Sequence, residues 1–224
     1  MSMREVKEIT YNQTKPFLLN IHYARRMPCI QYAYGLFIDN VLCGCVTYGQ
    51  PASPSLCKGV AGEKNRKNVL ELNRLVITDK TPNNASYLVG ASLRMLPPHK
   101  FIISYADAEG WGHVGYVYQS TNWLYTGMTK SRTDKYSQGH SRHYDVNETR
   151  RQYRTAKHRY IYLTGDRRDK REMKKELKYE IIKEYPKGES RHYDINNPIA
   201  VKGKDIENNT VKYSKQHTIY DEYD

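Results

Sequence analysis

VLELNRLVITDKTPNNASYLVGASLRMLPPHKFIISY, residues 69–105, is the stretch on which the fold turns. Residues 69–77 are dominated by Val, Leu and Ile, the composition of a buried strand. The following segment, 79–84, carries Pro82 and the Asn83-Asn84 pair and predicts a turn-rich loop. Residues 85–96 are good helix formers, and Pro97-Pro98 stops them. FIISY, 101–105, predicts the next strand. Toward the N-terminus, residues 34–38 and 41–48 read as strands joined at Asp39-Asn40, a two-residue hairpin signal. Before them, Thr14 is expected to cap a helix with Pro16 in its first turn, running to about Arg26, and residues 6–10 predict a short strand. Toward the C-terminus, 115–122 predicts a helix and 123–126 a strand ended by Gly127. The order is β-α-β-β-β-α-β-α-β, an α/β fold with a mixed central sheet flanked by helices.

Composition narrows the function classes. Lys and Arg number 36 against 24 Asp and Glu, a net charge of +12. The apolar share is 38%, but 21 of those residues are Tyr and only 3 are Phe. No run approaches the ~20 apolar residues that span a bilayer, so a membrane protein is not expected. Residues 1–10 are charged with no apolar run after them, which excludes a secretory signal and predicts a cytoplasmic protein. Cys29, Cys43, Cys45 and Cys57 fit no common zinc module and read as reduced core residues; no metal is expected.

The charge is uneven. Residues 1–128 hold 13 basic and 8 acidic residues, 129–191 hold 19 and 10, and 192–224 hold 4 and 6. The apolar runs fall in the first segment. We therefore expect a compact core over 1–128, a basic, Tyr-rich, α+β or irregular extension over 129–196, and a polar, loosely held tail over 197–224. Within the extension, 160–163 and 176–185 read as strand-like runs around a charged turn.

Two places carry candidate chemistry. The helix opening Asn83-Asn84-Ala85-Ser86 offers free N–H groups and the positive end of a helix dipole to an anion, with Gly90 and Ala91 small enough to admit it. Its alternative is an ordinary capped helix. No P-loop and no glycine-rich dinucleotide fingerprint is present, so a nucleotide-dependent kinase or dehydrogenase is unexpected. Ser104-Tyr105-Ala106-Asp107 then ends a buried strand, where ligands bind in open α/β sheets, and His113 follows. Its alternative is a strand-to-helix turn.

The element order, with the anion loop after a long strand and a second helix after the next strand, resembles the GNAT acetyltransferase fold. A series of motifs is similar to the Mom family of phage DNA-modification proteins. They are His22-Tyr23-Ala24-Arg25-Arg26-Met27-Pro28, Glu71-Leu72-Asn73-Arg74-Leu75, Asn84-Ala85-Ser86, Leu88-Val89-Gly90, Ser104-Tyr105-Ala106-Asp107, Gly112-His113-Val114-Gly115, Tyr118-Gln119, Thr121-Asn122-Trp123 and Tyr125-Thr126-Gly127. The resemblance implies a transferase that converts the exocyclic amino group of adenine in DNA to a carbamoylmethyl derivative, blocking restriction enzymes in the host cytoplasm. It also implies acetyl-CoA or a related acyl-CoA as donor, its pyrophosphate on Asn83, Asn84, Ala85 and Ser86. The loop departs from the usual Arg/Gln-x-x-Gly-x-Gly of acetyltransferases. A carbamoylmethyl group is joined through a CH2 carbon, so simple acyl transfer does not make it.

An adenine amino group is a poor nucleophile that must be oriented and relieved of a proton. Asp107 is the first choice for that acceptor. Ser104 and Tyr118 are candidate donors to a carbonyl oxygen or thiolate, and His22 and Tyr23 candidates to close the site. Glu71 and Asn73 are expected on one strand face, Leu72 and Arg74 on the other, with Glu71 either paired to an arginine or facing substrate. Lys130, Arg132, Lys135, Arg142, Arg150, Arg151 and Arg154, interleaved with tyrosines, fit double-stranded DNA as partner. A solvated charged face is the alternative. A near-repeat, SRHYDVN at 141–147 and SRHYDIN at 190–196, reads as a structural clasp, as paired phosphate contacts or as a coincidence of biased composition. Two other functions fit the same features: an acetyltransferase of a protein or small amine, and a non-catalytic nucleic-acid-binding protein.

Overall fold

The computed structural model describes residues 3–109, 112–136, 147, 149–188, 205–207 and 210–212. Arg142 and most of both near-repeat copies lie outside the described residues. The chain forms two compact units: Met1–Ser104, Gly115–Gly127 and Arg159–Tyr185 make the first, and Tyr105–Val114, Met128–His158 and Pro186–Asp224 the second. Residues 159–185, which fall within the stretch expected to be an extension, thus belong to the first unit.

The mixed α/β sheet expected from the sequence has seven strands in the order β1-β2-β3-β4-β5-β9-β6. They are β1 (Arg4–Glu8), β2 (Tyr32–Ile38), β3 (Val41–Gly49), β4 (Val69–Ile77), β5 (Phe101–Asp107), β6 (Leu124–Met128) and β9 (Lys157–Leu163). Strands β1 to β4 pair antiparallel, and β4 and β5 pair parallel. The hairpin at Asp39-Asn40 forms as expected, both residues having positive φ (47° and 66°), the backbone a two-residue loop needs. Leu18, Leu36, Val46, Tyr48, Leu88, Ile102, Ile103, Trp123 and Tyr160 are fully buried and form the centre of the first unit.

The helices differ in detail from the sequence reading. Thr10, not Thr14, caps α1 (Tyr11–Lys15), through a reciprocal capping box with Gln13. Thr14 lies inside the helix, buried, its hydroxyl donating to the Tyr11 carbonyl. Pro16 has no N–H to continue the ladder. The chain widens there into a π-helical turn, Pro16–Ile21, closed by His22 N–H on the Phe17 carbonyl, and does not continue to Arg26. Helix α2 (Pro54–Asn65), unexpected from the sequence, is capped by Ser53 and starts on a proline.

Helix α3 (Asn84–Met95) matches its expectation, and α4 (Tyr116–Gln119) is shorter than the 115–122 expected. Helix α5 (Arg167–Glu176) occupies the charged turn, and the strand-like run after it reduces to one bridge, Ile182 with Tyr125. Among the described residues no helix is long and apolar enough to cross a membrane.

In the second unit, β7 (Arg132–Lys135), β8 (Arg151–Arg154), β10 (Asp205–Glu207) and β11 (Thr210–Lys212) form a sheet in the order β11-β10-β8-β7. Two short stretches of the tail expected to be loosely held are therefore strands paired into this sheet.

Candidate active site

The site of the first unit begins with a defect in β4. Opposite Thr47 and Tyr48 of β3, the register skips from Arg74 to Leu72, leaving Asn73 as an extra residue. A bulge of this kind bends a strand and re-aims its side chains. Asn73 is pinned in it from both ends: the Thr47 hydroxyl donates to its Oδ1 (2.6 Å), and its Nδ2 donates to the Cys29 carbonyl (2.8 Å). The strict alternation expected across 71–74 is thereby broken. Cys29 itself is exposed, contrary to a core role, whereas Cys45 and Cys57 are buried.

On the other side, the ladder of β4 with β5 spans only Val69 to Glu71 against Phe101 to Ile103. Beyond it the next carbonyl of β4, that of Leu72, is met by a side chain: Ser104 Oγ donates to it at 3.0 Å. Ser104 Oγ is also 2.8 Å from the Tyr118 hydroxyl. Ser104 has one proton for two neighbours. With that proton directed to the Tyr118 oxygen, the phenol O–H is left to donate elsewhere.

Burial pushes the Tyr118 phenol up to about 12, with smaller contributions from Tyr23 and Glu71 and an opposing one from the Ser104 bond. Tyr118 is therefore a protonated donor near neutral pH, unsuited to act as a base. Its place depends on Gly115, at the left-handed φ of +80°, where a Cβ would lie 2.5 Å from the Tyr160 ring. This gives the expected Gly112-His113-Val114-Gly115 motif part of its physical reason.

His22 follows the π-helical turn and is buried. Its Nδ1 accepts the Ala24 N–H at 3.0 Å, so the neutral ring carries its proton on Nε2. Burial, then the charges of Arg74 and Arg26, lower its pKa to about 3. Tyr23 stacks beside it with ring centroids 4.3 Å apart and is 41% exposed. Arg74 is held by a 2.6 Å bond from Nη1 to the Asn73 carbonyl, while its buried Nε has no hydrogen-bond partner among the described residues. Its pKa is lowered by burial, and Tyr23 and Glu71 act on it in the opposite direction. His22, Tyr23, Ser104 and Tyr118, expected from the sequence, are thus joined by Arg74. Sequence reasoning set that residue on the opposite strand face from Glu71 and gave it no role in the site, because a bulge leaves no mark in the apolar pattern.

The depressed His22 pKa has a measurable consequence. The folded value lies below the ordinary 6.5, so the unfolded chain binds the proton more readily. Stability from this group is complete above about pH 6.5 and falls as the pH drops toward 3. Each pH unit across that window is worth about 1.4 kcal/mol. Urea unfolding at pH 7, 5 and 4 is expected to show a steeper acid loss for the native chain than for His22→Gln. Parallel losses in the two proteins would contradict it.

The expected anion loop lies at the start of α3. Asn83 adopts a left-handed φ of 68°, and its side chain makes no capping bond. Asn84 is buried and fixed elsewhere, donating to Asp79 Oδ1 (2.8 Å) and accepting from Arg4 Nη1 (3.3 Å). Ser86 Oγ donates back to the Asn83 carbonyl. Asn83, Ser86, Gly90 and Ala91 line an open groove of about 410 Å³, with Arg4 and Arg94 adding positive charge. A groove lined by a helix N-terminus and by two arginines suits a pyrophosphate, so the residues fit a coenzyme A donor. Neither arginine was selected from the sequence, because no spacing rule ties residue 4 to residue 84.

In the second unit, Asp107 ends β5, and its carbonyl accepts the His113 N–H at 2.8 Å. Glu109 accepts from the Tyr153 hydroxyl and from Ala156 N–H, each at 3.0 Å. Strands β7 and β8 carry Arg132, Lys135, Arg151 and Arg154 of the expected nucleic-acid-binding set. Arg150 stacks on the Tyr136 ring at 4.4 Å. Lys130 precedes β7.

Comparison with known proteins agrees with the motif series. Several solved acetyltransferases match the chain at low identity. One of the GNAT family from Bacillus cereus covers 73% of this chain and 99% of its own, at 12% identity and a TM-score of 0.42. One from Bacillus subtilis in complex with coenzyme A covers 74% and 100%, at 11% identity and a TM-score of 0.42. The methylcarbamoylase Mom of Escherichia phage Mu is 30% identical over 116 residues, 49% of this chain and 48% of that protein. The chain thus matches about half the length of that relative. A family model matches residues 4–187, which take in the bulged β4, the α3 groove, the Ser104–Tyr118 pair and the β7–β8 ribbon, and by that match the chain belongs to the Mom protein family.

Proposed function

We propose that the chain is a DNA base-modifying transferase that places a carbamoylmethyl-type group on the exocyclic amino group of adenine in double-stranded DNA. The observation that carries this is the family match over residues 4–187. The α3 groove takes the acetyl-CoA or related acyl-CoA donor, its pyrophosphate on the backbone of the helix opening at Asn83, Asn84, Ala85 and Ser86, with Arg4 and Arg94 among the groove's lining residues. In the transfer, a bond forms between the amino nitrogen and the incoming carbon, and the leaving group departs with its electron pair. Asp107 accepts the amino proton. Tyr118, protonated and backed by Ser104, donates a hydrogen bond to the atom that gains charge. His22 stays neutral and holds Tyr23 at the edge of the site, and Arg74 offers its free Nε–H to a substrate oxygen. The product is joined through CH2, so a plain acetyl thioester, whose methyl carbon bears no leaving group, does not give it: the donor that meets adenine is of the class X–CH2–C(=O)–, the N–CH2 bond forms as the CH2–X bond breaks, and X departs with the electron pair. Lys130, Arg132, Lys135, Arg150, Arg151 and Arg154 neutralise DNA phosphates, and the target base leaves the stack to react. The modified base would protect phage DNA from restriction in the host cytoplasm.

The donor assignment is tested at Gly90, where an added Cβ would meet Thr121 and Arg94 only at ordinary contact distances of 3.6 and 3.9 Å. Gly90→Leu therefore fills the groove without a backbone clash, and within a helix it replaces the weaker helix former. Calorimetry is expected to show coenzyme A bound by the native chain and at least tenfold more weakly by Gly90→Leu, with an equal or higher melting temperature. Equal affinity in both would move the donor elsewhere. Incubation with duplex DNA and a donor labelled in its acyl group tests the whole reading. Label on DNA is expected, whereas label on protein or small amines alone supports an ordinary acetyltransferase.

A further inference from the structure

The β7–β8 ribbon is unusual in its charge. Over residues 132–136 and 150–154 it carries Arg132, Lys135, Arg150, Arg151 and Arg154 against a single acid, Asp134. The antiparallel register sets Arg132 opposite Arg154 and Lys135 opposite Arg151. Like charges directly opposite each other destabilise a strand pair, so stability does not account for this pattern. Alternation places Arg132, Asp134 and Arg154 on one face, and the contacts agree. Arg132 Nε donates to Asp134 Oδ1 at 3.1 Å and lies 3.3 Å from Oδ2, and Arg154 Nε is 3.4 Å from Oδ2. The other face is tied down by the Tyr153 bond to Glu109. On the first face the Arg132 side chain is 72% exposed, while those of Arg154 and Asp134 are 33% and 27% exposed.

We propose that the Arg132–Arg154 pair binds one backbone phosphate of duplex DNA, and that Asp134 occupies that position in the free protein as an internal stand-in for the phosphate. The inference rests on the reading of DNA as the substrate. Carboxylate and phosphate ask a guanidinium for the same hydrogen-bond geometry. One carboxylate shared by two guanidiniums leaves the cluster with a net positive charge, so it still draws an anion. The incoming phosphate gives both guanidiniums back the acceptor that the carboxylate vacates, so the exchange of carboxylate for phosphate costs little. Asp134 thereby weakens a grip that carries no sequence information, which helps an enzyme that must leave one site to reach the next.

The test is a fluorescence-anisotropy titration of the full chain with a labelled duplex over a series of salt concentrations. It compares the native chain, Asp134→Asn, Arg132→Gln/Arg154→Gln, and the triple variant. Removing the stand-in lets the phosphate meet the pair without displacing a carboxylate, so Asp134→Asn should bind roughly fivefold tighter at 0.15 M salt, as for a cluster with one more uncompensated positive charge. The double arginine variant loses the one phosphate and should flatten the log K against log salt slope by about 0.9. In the triple variant the gain from Asp134→Asn should disappear, the non-additivity expected of groups sharing one site. A gain that persists without the two arginines would mean that Asp134 acts as a general negative charge, and overturns the proposal. Unchanged or weaker binding by Asp134→Asn with an unaltered melting curve also overturns it; Asp134→Ser replaces it if Asn disturbs the ribbon. A native chain whose duplex binding shows no salt dependence overturns the DNA reading, and this site with it.

Discussion

Asp107→Asn is expected to lower DNA modification by ~10²-fold or more while leaving the fold intact, the scale of removing a general base. The substitution keeps the size of the side chain and much of its hydrogen-bonding capacity, and removes the charge that accepts the amino proton. Asp107 is the last residue of β5, and its backbone carbonyl accepts the His113 N–H, a bond the substitution leaves in place. Circular dichroism melting checks the fold, and single-turnover rates on duplex DNA measure the loss. A folded Asp107→Asn protein with native rates would remove Asp107 from the chemistry.

The second large effect is expected at Tyr118. Tyr118→Phe deletes the hydroxyl and nothing else, leaving the ring contacts with Trp123 (5.0 Å) and Tyr160 (5.1 Å) in place. As the donor to developing charge, the hydroxyl should be worth ~10²-fold or more in rate, comparable to one oxyanion-hole donor. Its loss also strips Ser104 of the 2.8 Å neighbour, a structural cost of about 1 kcal/mol. Ser104→Ala separates the two contributions. It removes the same hydrogen bond but leaves the phenol, so it should show a similar stability change and a much smaller rate loss. Equal rate losses in the two variants would mean that the pair only holds β4 and β5 together.

Much of this was legible in the residues, and the exceptions have physical causes. The strand–loop–helix–strand of 69–105 was readable because its apolar content, its Asn/Pro loop and its Pro97-Pro98 stop all point the same way. The Asp39-Asn40 turn was readable because few residues tolerate positive φ. Helix α2 was hidden by its own glycines: Gly59 lies against the Tyr179 hydroxyl, and Gly62, at φ +74°, breaks the helical backbone. Helix α5 was hidden because it buries one residue, Met173, so its apolar period is almost silent. The reciprocal caps of Asp166 and Asp169 were the available signal. The same signal, Thr10 with Gln13, would have placed the start of α1 correctly.

At the site, the motif series selected Ser104, Tyr118, His22 and Tyr23, which the first unit gathers together. Arg74 escaped because its role depends on an extra residue in β4 that no periodicity reveals. Arg4 and Arg94 escaped because they reach the α3 groove through tertiary structure alone.

Mass spectrometry of nucleosides from the DNA of cells expressing the chain tests the proposed activity most directly. The account predicts a new deoxyadenosine derivative, heavier by a carbamoylmethyl-type group, in cells expressing the native chain, and its near absence with Asp107→Asn at equal protein level. Unmodified deoxyadenosine in cells that contain the folded native chain, or a derivative of another base, would contradict it.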